Sequence, residues 1–174
     1  MMPPFFPVTH DSRRVGPGTV FYALRGTTHD GISFIDDVLA RGAKKIVRDA
    51  ALPLSEALAA QIAAAGAELS YVTNPRQALA ESAAAASSDA HRQLIIIGVT
   101  GTKGKTTTTF LLEHLFRASG CKTALMSTVC NKIIDTIVPA EYTTEQADYL
   151  HQFMRLAVDA GVHVLIMEVA AQGL

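Results

Sequence analysis

The apolar run Ile95-Ile96-Ile97-Gly98-Val99 enters a turn, Thr100-Gly101-Thr102-Lys103-Gly104, and leaves through the hydroxyl-rich stretch Lys105-Thr106-Thr107-Thr108-Thr109. A buried strand, a tight glycine turn and a helix in that order call for an α/β layer with a parallel sheet. Glycines let the backbone approach an anion closely, and the amides of the turn and the helix N-terminus point at it. Lys105 adds a positive charge for the outer phosphates of a nucleoside triphosphate, and Thr106 offers a hydroxyl to Mg²⁺. The residue five before Gly104 is Val99, so the spacing is G-T-x-G-K-T and not the usual G-x-x-x-x-G-K-[ST]. A glycine turn serving packing alone is the other reading of the same residues.

With 174 residues, about half of them apolar, the chain can bury one substantial core or two small ones. The net charge of -1 and the absence of basic blocks leave no footprint for nucleic acid or an anionic membrane. Cys121 and Cys130 lack metal-ligand spacing and are expected as buried thiols in a reducing compartment. No basic n-region or membrane-length apolar run is present, which points to a cytoplasmic protein.

The first half alternates strands and helices. Strands are expected at 20–24, 45–48 and 69–73, with helices at 33–41 (Ser33 as N-cap), 54–65 and 75–86. Small and polar residues between Ala83 and Arg92 mark a domain boundary, dividing the chain into 1–90 and 91–174. Beyond it, residues 94–99 read as a strand buried on both faces, 105–119 as its helix, 123–127 as a strand and 132–138 as an edge strand or hairpin arm. Residues 144–160 form an amphipathic pattern, and 162–167 a further buried strand.

Glu168 follows that last strand, at the sheet edge where ligands of open α/β sheets bind, and is a Mg²⁺ candidate or else a solvated carboxylate. Asp11-Ser12-Arg13-Arg14 precedes a Val-Gly-Pro-Gly turn; its guanidiniums can pair with a diphosphate, or the segment is a plain surface turn. The polar loop from Gly26 to Gly31 follows a strand. Thr143-Thr144 is an N-cap pair or a phosphate contact.

Four segments together resemble the Mur ligase family of ATP-dependent amide ligases: Asp11-Ser12-Arg13 with Pro17-Gly18 and Phe21 to Gly26; Asp30-Gly31 with Phe34-Ile35; Gly98 to Thr109; and Met167-Glu168-Val169 with Gly173-Leu174. Within the family the resemblance is to the ligases that add the third stem-peptide residue to UDP-N-acetylmuramoyl dipeptide. It implies an α/β protein: a small N-terminal α/β domain for the UDP end of the substrate, then the first part of a phosphate-loop, mostly parallel-sheet ATPase domain. It also implies ATP binding by Gly101, Thr102, Lys103, Gly104, Lys105, Thr106 and Thr107, with Lys105 as the catalytic cation, and Mg²⁺ at Thr106 and Glu168. Ser12 is implied to contact UDP, and Thr143 and Thr144 the UDP-muramoyl peptide. The implied partners are the UDP-muramoyl dipeptide and an amino acid, without nucleic acid or membrane, and the full-length form is expected as a monomer.

Several positions depart from the family pattern. Thr27 stands where histidine usually follows the first-domain loop glycine, and Tyr142 where asparagine often precedes the threonine pair. The family's Glu-Val-Ser-Ser-His appears as Glu168-Val169-Ala170-Ala171-Gln172, and Ala170 has no hydroxyl to offer the peptide. A non-catalytic or divergent nucleotide- or UDP-sugar-binding paralogue is the alternative. The resemblance places amino-acid selection beyond Leu174, so the 174 residues are expected to be a fragment without ligase turnover.

Overall fold

In the computed structural model, which describes residues 2–26, 29–139 and 145–170, short strands alternate with helices except for three consecutive strands between 123 and 139. Residues Pro3–Ala86 group as one compact unit and those from Ser87 onward as another. The class is α/β, with an all-parallel sheet in the first unit and a mixed sheet, parallel on one side, in the second.

The first unit holds a four-stranded sheet in sequential order: β1 (Val8–Thr9), β2 (Val20–Tyr22), β3 (Lys45–Asp49) and β4 (Glu68–Val72), every pair parallel. Side-chain alternation gives it two apolar faces. Phe21 and Ile46 join Val15, Ile35, Val38 and Ile62 on one side, which seats α1 (Ile35–Ala40) and α2 (Glu56–Ala64). Tyr22 and Val47 join Leu79 and Ala83 of α3 (Pro75–Ala86) on the other. Pro75 opens α3 at its first position, where its missing N–H costs nothing, and Asn74 accepts from the Gln77 amide at 3.2 Å. The expected Ser33 cap is not the one observed. Asp30 caps a 3-10 turn, Gly31–Phe34, by accepting from the Ile32 amide, and α1 begins only afterwards. The two-residue β1 has too short a pattern to have stood out in the sequence.

The second sheet runs in the order β5-β9-β6-β7-β8, from β5 (Ile95–Val99), β6 (Thr123–Met126), β7 (Cys130–Ile133), β8 (Thr136–Pro139) and β9 (Val164–Glu168). β5, β9 and β6 are mutually parallel, while β6-β7 and β7-β8 are antiparallel. β9 is central and all five of its residues are buried. Helix α4 (Lys105–Ala118) lays Phe110, Leu112 and Phe116 against Leu125, Val164 and Ile166. Its buried Glu113 accepts from the Thr123 hydroxyl at 3.0 Å and pairs with Lys132 at 3.0 Å, tying the helix to β6 and β7.

Three expectations for this unit are corrected. β5 is not buried on both faces: the successive residues Ile95 and Ile96, which point to opposite faces, are 63% and 40% exposed. The amphipathic helix, α5 (Ala147–Asp159), starts three residues after Thr144; Phe153, Met154 and Ala157 are its buried face. Cys121 and Cys130 are free thiols as expected, but half-buried.

Candidate functional site

The parallel pairing of β5 with β9 sets Val99 opposite Glu168, and the Val169 amide donates to the Val99 carbonyl at 2.9 Å. The chain therefore enters its glycine turn directly beside the carboxylate. Gly104 occupies the N-cap position of α4 at φ 80, and an added Cβ there would meet nothing within 4 Å, so backbone conformation alone selects glycine. Gly104 offers no side-chain cap, so the first N–H groups of the helix are left to face the turn. Lys105 lies back across the loop and donates through Nζ to the Gly101 carbonyl at 2.9 Å. Thr106 is half-buried, and its carbonyl accepts from the hydroxyl of buried Thr109 at 2.9 Å, which fixes the first helical turn. Gly101, Thr102, Lys103, Gly104 and Thr107 are exposed.

Glu168 is only 1% exposed, which removes the solvated-carboxylate reading. Its Oε1 accepts from the Thr128 amide at 3.1 Å and its Oε2 from the Thr128 hydroxyl at 3.0 Å. No lysine, arginine or histidine pairs with it among the described residues. Buried charges are ordinarily paired or coordinate a metal. A buried carboxylate with spare lone pairs and no basic partner among the described residues is an oxygen donor suited to a hard divalent cation, and it ends the strand paired with the one that enters the glycine turn. Sequence reasoning did not single out Thr128. Its one signal was a Ser127-Thr128 pair directly after the apolar strand β6, at the same sheet edge as Glu168.

In the first unit, Ser12 is half-buried in a 3-10 turn, Ser12–Arg14, just past the carboxyl end of β1. The neighbouring guanidiniums are engaged within the chain and not held open for a diphosphate. Arg13 makes a bidentate pair with Asp11, with Nη2 to Oδ2 at 2.7 Å, and Arg14 lies over the Phe6 ring at 5.3 Å while donating to the Pro3 carbonyl. The loop after β2 is tied down by a residue that sequence reasoning missed. Arg48, 4% exposed, donates to Asp30 Oδ1 at 2.5 Å and Oδ2 at 2.8 Å, and to the Ala23 carbonyl at 2.9 Å. Those hydrogen bonds hold the Asp30 carboxyl below the usual carboxylate range, outweighing a smaller upward push from burial. Gly31 meets Ala23 and Leu24 so closely that an added Cβ would lie 2.9 Å from their backbone atoms. Thr27, Tyr142, Thr143, Thr144, Ala171 and Gln172 lie outside the described residues.

Comparison with known proteins bears on both units. A sequence model described as "Mur ligase family, catalytic domain" matches residues 7–87, and one described as "Mur ligase middle domain" matches residues 99–174. The UDP-N-acetylmuramyl-tripeptide synthetase of Deinococcus radiodurans is 38% identical over 172 residues, covering 96% of this chain and 33% of that protein. A UDP-N-acetylmuramoyl-L-alanyl-D-glutamate--2,6-diaminopimelate ligase from Cytophaga hutchinsonii is 40% identical over 164 residues, covering 94% and 32%. A solved structure of a ligase with that same name superposes with a TM-score of 0.76 at 26% identity, covering 98% of this chain and 33% of the other. A MurF ligase from Thermotoga maritima in complex with ADP, at TM-score 0.56 and 23% identity over 94% of this chain and 32% of its own, shares the fold. The chain spans about a third of the length of the curated relatives it matches.

Proposed function

The chain belongs to the Mur ligase family, and on that premise we propose that it is the substrate- and phosphate-binding portion of an ATP-dependent ligase that joins the third amino acid to UDP-N-acetylmuramoyl dipeptide in peptidoglycan precursor synthesis. Residues 1–90 hold the UDP end of that substrate and 91–174 begin the ATP-binding domain. The observation that carries this reading is the buried Glu168, without a cationic partner among the described residues, beside the entry to the glycine turn.

In this reading the amides of the Gly101–Thr107 segment cradle the phosphates of ATP, and Lys105 exchanges its bond to the Gly101 carbonyl for a phosphate oxygen. Thr106 and Glu168 hold Mg²⁺, which when bound supplies positive charge at the phosphate oxygens. A carboxylate oxygen of the dipeptide attacks the γ-phosphorus, ADP departs, and an acyl phosphate results. The amino nitrogen of the incoming amino acid then attacks the acyl carbon, expelling phosphate and losing a proton to form the amide. Side chains of this chain take no covalent part; they position charge and exclude misalignment. Ser12 contacts UDP, and Thr143 and Thr144 contact the muramoyl peptide.

The test is a pair of titrations on the 174-residue chain, one with ATP and Mg²⁺ and one with UDP-N-acetylmuramoyl dipeptide. Binding of both supports the ligase reading, and binding of neither overturns it. A second reading, a divergent nucleotide- or UDP-sugar-binding paralogue, is favoured by Ala170, which presents a methyl group where the family carries a serine hydroxyl. ATP binding without muramoyl-peptide binding, restored by Ala170→Ser, would select it.

A further inference from the structure

The turn between β6 and β7 is built around two adjacent hydroxyls with different tasks. Ser127 is buried, and its Oγ accepts from the amides of Val129 at 3.3 Å and Cys130 at 3.2 Å while donating to the Cys130 carbonyl at 3.0 Å. Those bonds close a hydroxyl-stapled turn of the kind serine favours. The turn leaves Thr128 exposed at its crest, with both its donors directed at one side chain: amide to Glu168 Oε1, hydroxyl to Glu168 Oε2. β6 and β9 are parallel neighbours in the register Met126 opposite Met167, so Thr128 and Glu168 leave the sheet at the same edge.

We propose that Thr128 is a positioning residue for the Mg²⁺-binding carboxylate, fixing the plane of Glu168 by donating to each of its oxygens; this rests on the reading of Glu168 given above. A carboxylate has about four lone-pair sites. Thr128 uses two of them and leaves the others for a cation. With no basic partner on Glu168 among the described residues, the two Thr128 bonds are the polar contacts that hold the carboxylate's rotation within its buried site. Outer-shell hydrogen bonds of this type orient metal ligands without touching the metal. They also explain why the carboxylate is held by neutral donors: an arginine in place of Thr128 would cancel the charge that the cation needs.

The experiment measures ATP affinity of the 174-residue chain with and without Mg²⁺, for the unsubstituted chain, Thr128→Val and Thr128→Ser. Thr128→Val keeps the branched shape and the amide but removes the hydroxyl, at an exposed position where no core is opened. The expected result is a loss of about tenfold in the Mg²⁺-dependent gain of ATP affinity, with Mg²⁺-free affinity and thermal midpoint unchanged and with Thr128→Ser restoring the gain. A merely structural threonine would lower the midpoint and both affinities together. A Thr128→Val chain with the full Mg²⁺ gain overturns the proposal while leaving Glu168 as a metal ligand. An unsubstituted chain that binds ATP with no Mg²⁺ gain overturns the reading of Glu168, and the proposal with it.

Discussion

Two carboxylates, one in each unit, are treated in opposite ways. Asp30 follows β2 and is met by the buried guanidinium of Arg48 in a bidentate pair, so its charge is answered from inside the chain. Glu168 ends β9, is more deeply buried, and is met by an amide and a hydroxyl of Thr128. The first arrangement completes itself and orders a loop. The second has no basic partner for its carboxylate among the described residues. Where a buried charge is balanced internally the group serves the fold; where it is not, the fold bears a cost that a bound ligand relieves.

The largest effect is expected from Glu168→Gln. It should reduce the Mg²⁺-dependent gain in ATP affinity on the order of 100-fold, read by titration, while stability changes by no more than about 1 kcal/mol, since an uncompensated charge has been removed. A large stability loss with ATP binding intact would make Glu168 a structural residue like Asp30. The converse is Asp30→Ala, which strands the Arg48 guanidinium among buried groups and should cost the first unit about 3 kcal/mol in chemical denaturation, with ATP affinity unchanged.

Gly31→Ala perturbs the same loop without touching charge. Its Cβ would sit 2.9 Å from backbone atoms that have little room to move, so a loss of about 2 kcal/mol is expected in the first unit. Gly104→Ala, with open space around it but φ 80, should cost only about 1 kcal/mol and act on nucleotide binding instead.

The smallest effects are in the response to acid, which should differ between units. Asp30 has a folded pKa below its unfolded value, so its contribution is present above the unfolded carboxylate range and disappears as pH falls through the lower, folded value. In the second unit His151 is depressed, first by burial and then by His91, whose ring lies 5.4 Å away, with Asp89 opposing. The folded state therefore resists a proton that the unfolded chain accepts, and stability begins to decline at the ordinary histidine range, about pH 6.5. His151→Gln should flatten that decline near pH 6 and leave the step from Asp30 in place, as followed by thermal midpoints across a pH series.

What the sequence disclosed and what it hid divide along range. The strand-turn-helix of residues 95–109 is legible because its parts are contiguous and each residue type has a local reason. Glu168 is legible as the residue after an apolar strand. Thr128 is not, because its partner lies 40 residues away and nothing in a Ser-Thr turn announces a long-range acceptor. Arg48 is hidden for a similar reason: inside a strand it reads as an outward-facing charge, and only the parallel packing of β2 against β3 carries it to Asp30. The Ile95–Val99 run suggested burial on two sides, since apolar composition reports what a strand can bury and not what covers its faces.

The strand order β5-β9-β6 also has a consequence in time. β5 begins at Ile95 and its partner β9 at Val164, and β9 also separates β5 from β6. On a ribosome adding roughly 5–20 residues per second, the strand that carries the glycine turn waits several seconds for its neighbour, whereas β6, β7 and β8 can zip together as successive hairpins. Among the described strands of this sheet β9 is the last to be synthesised, and it pairs with both β5 and β6.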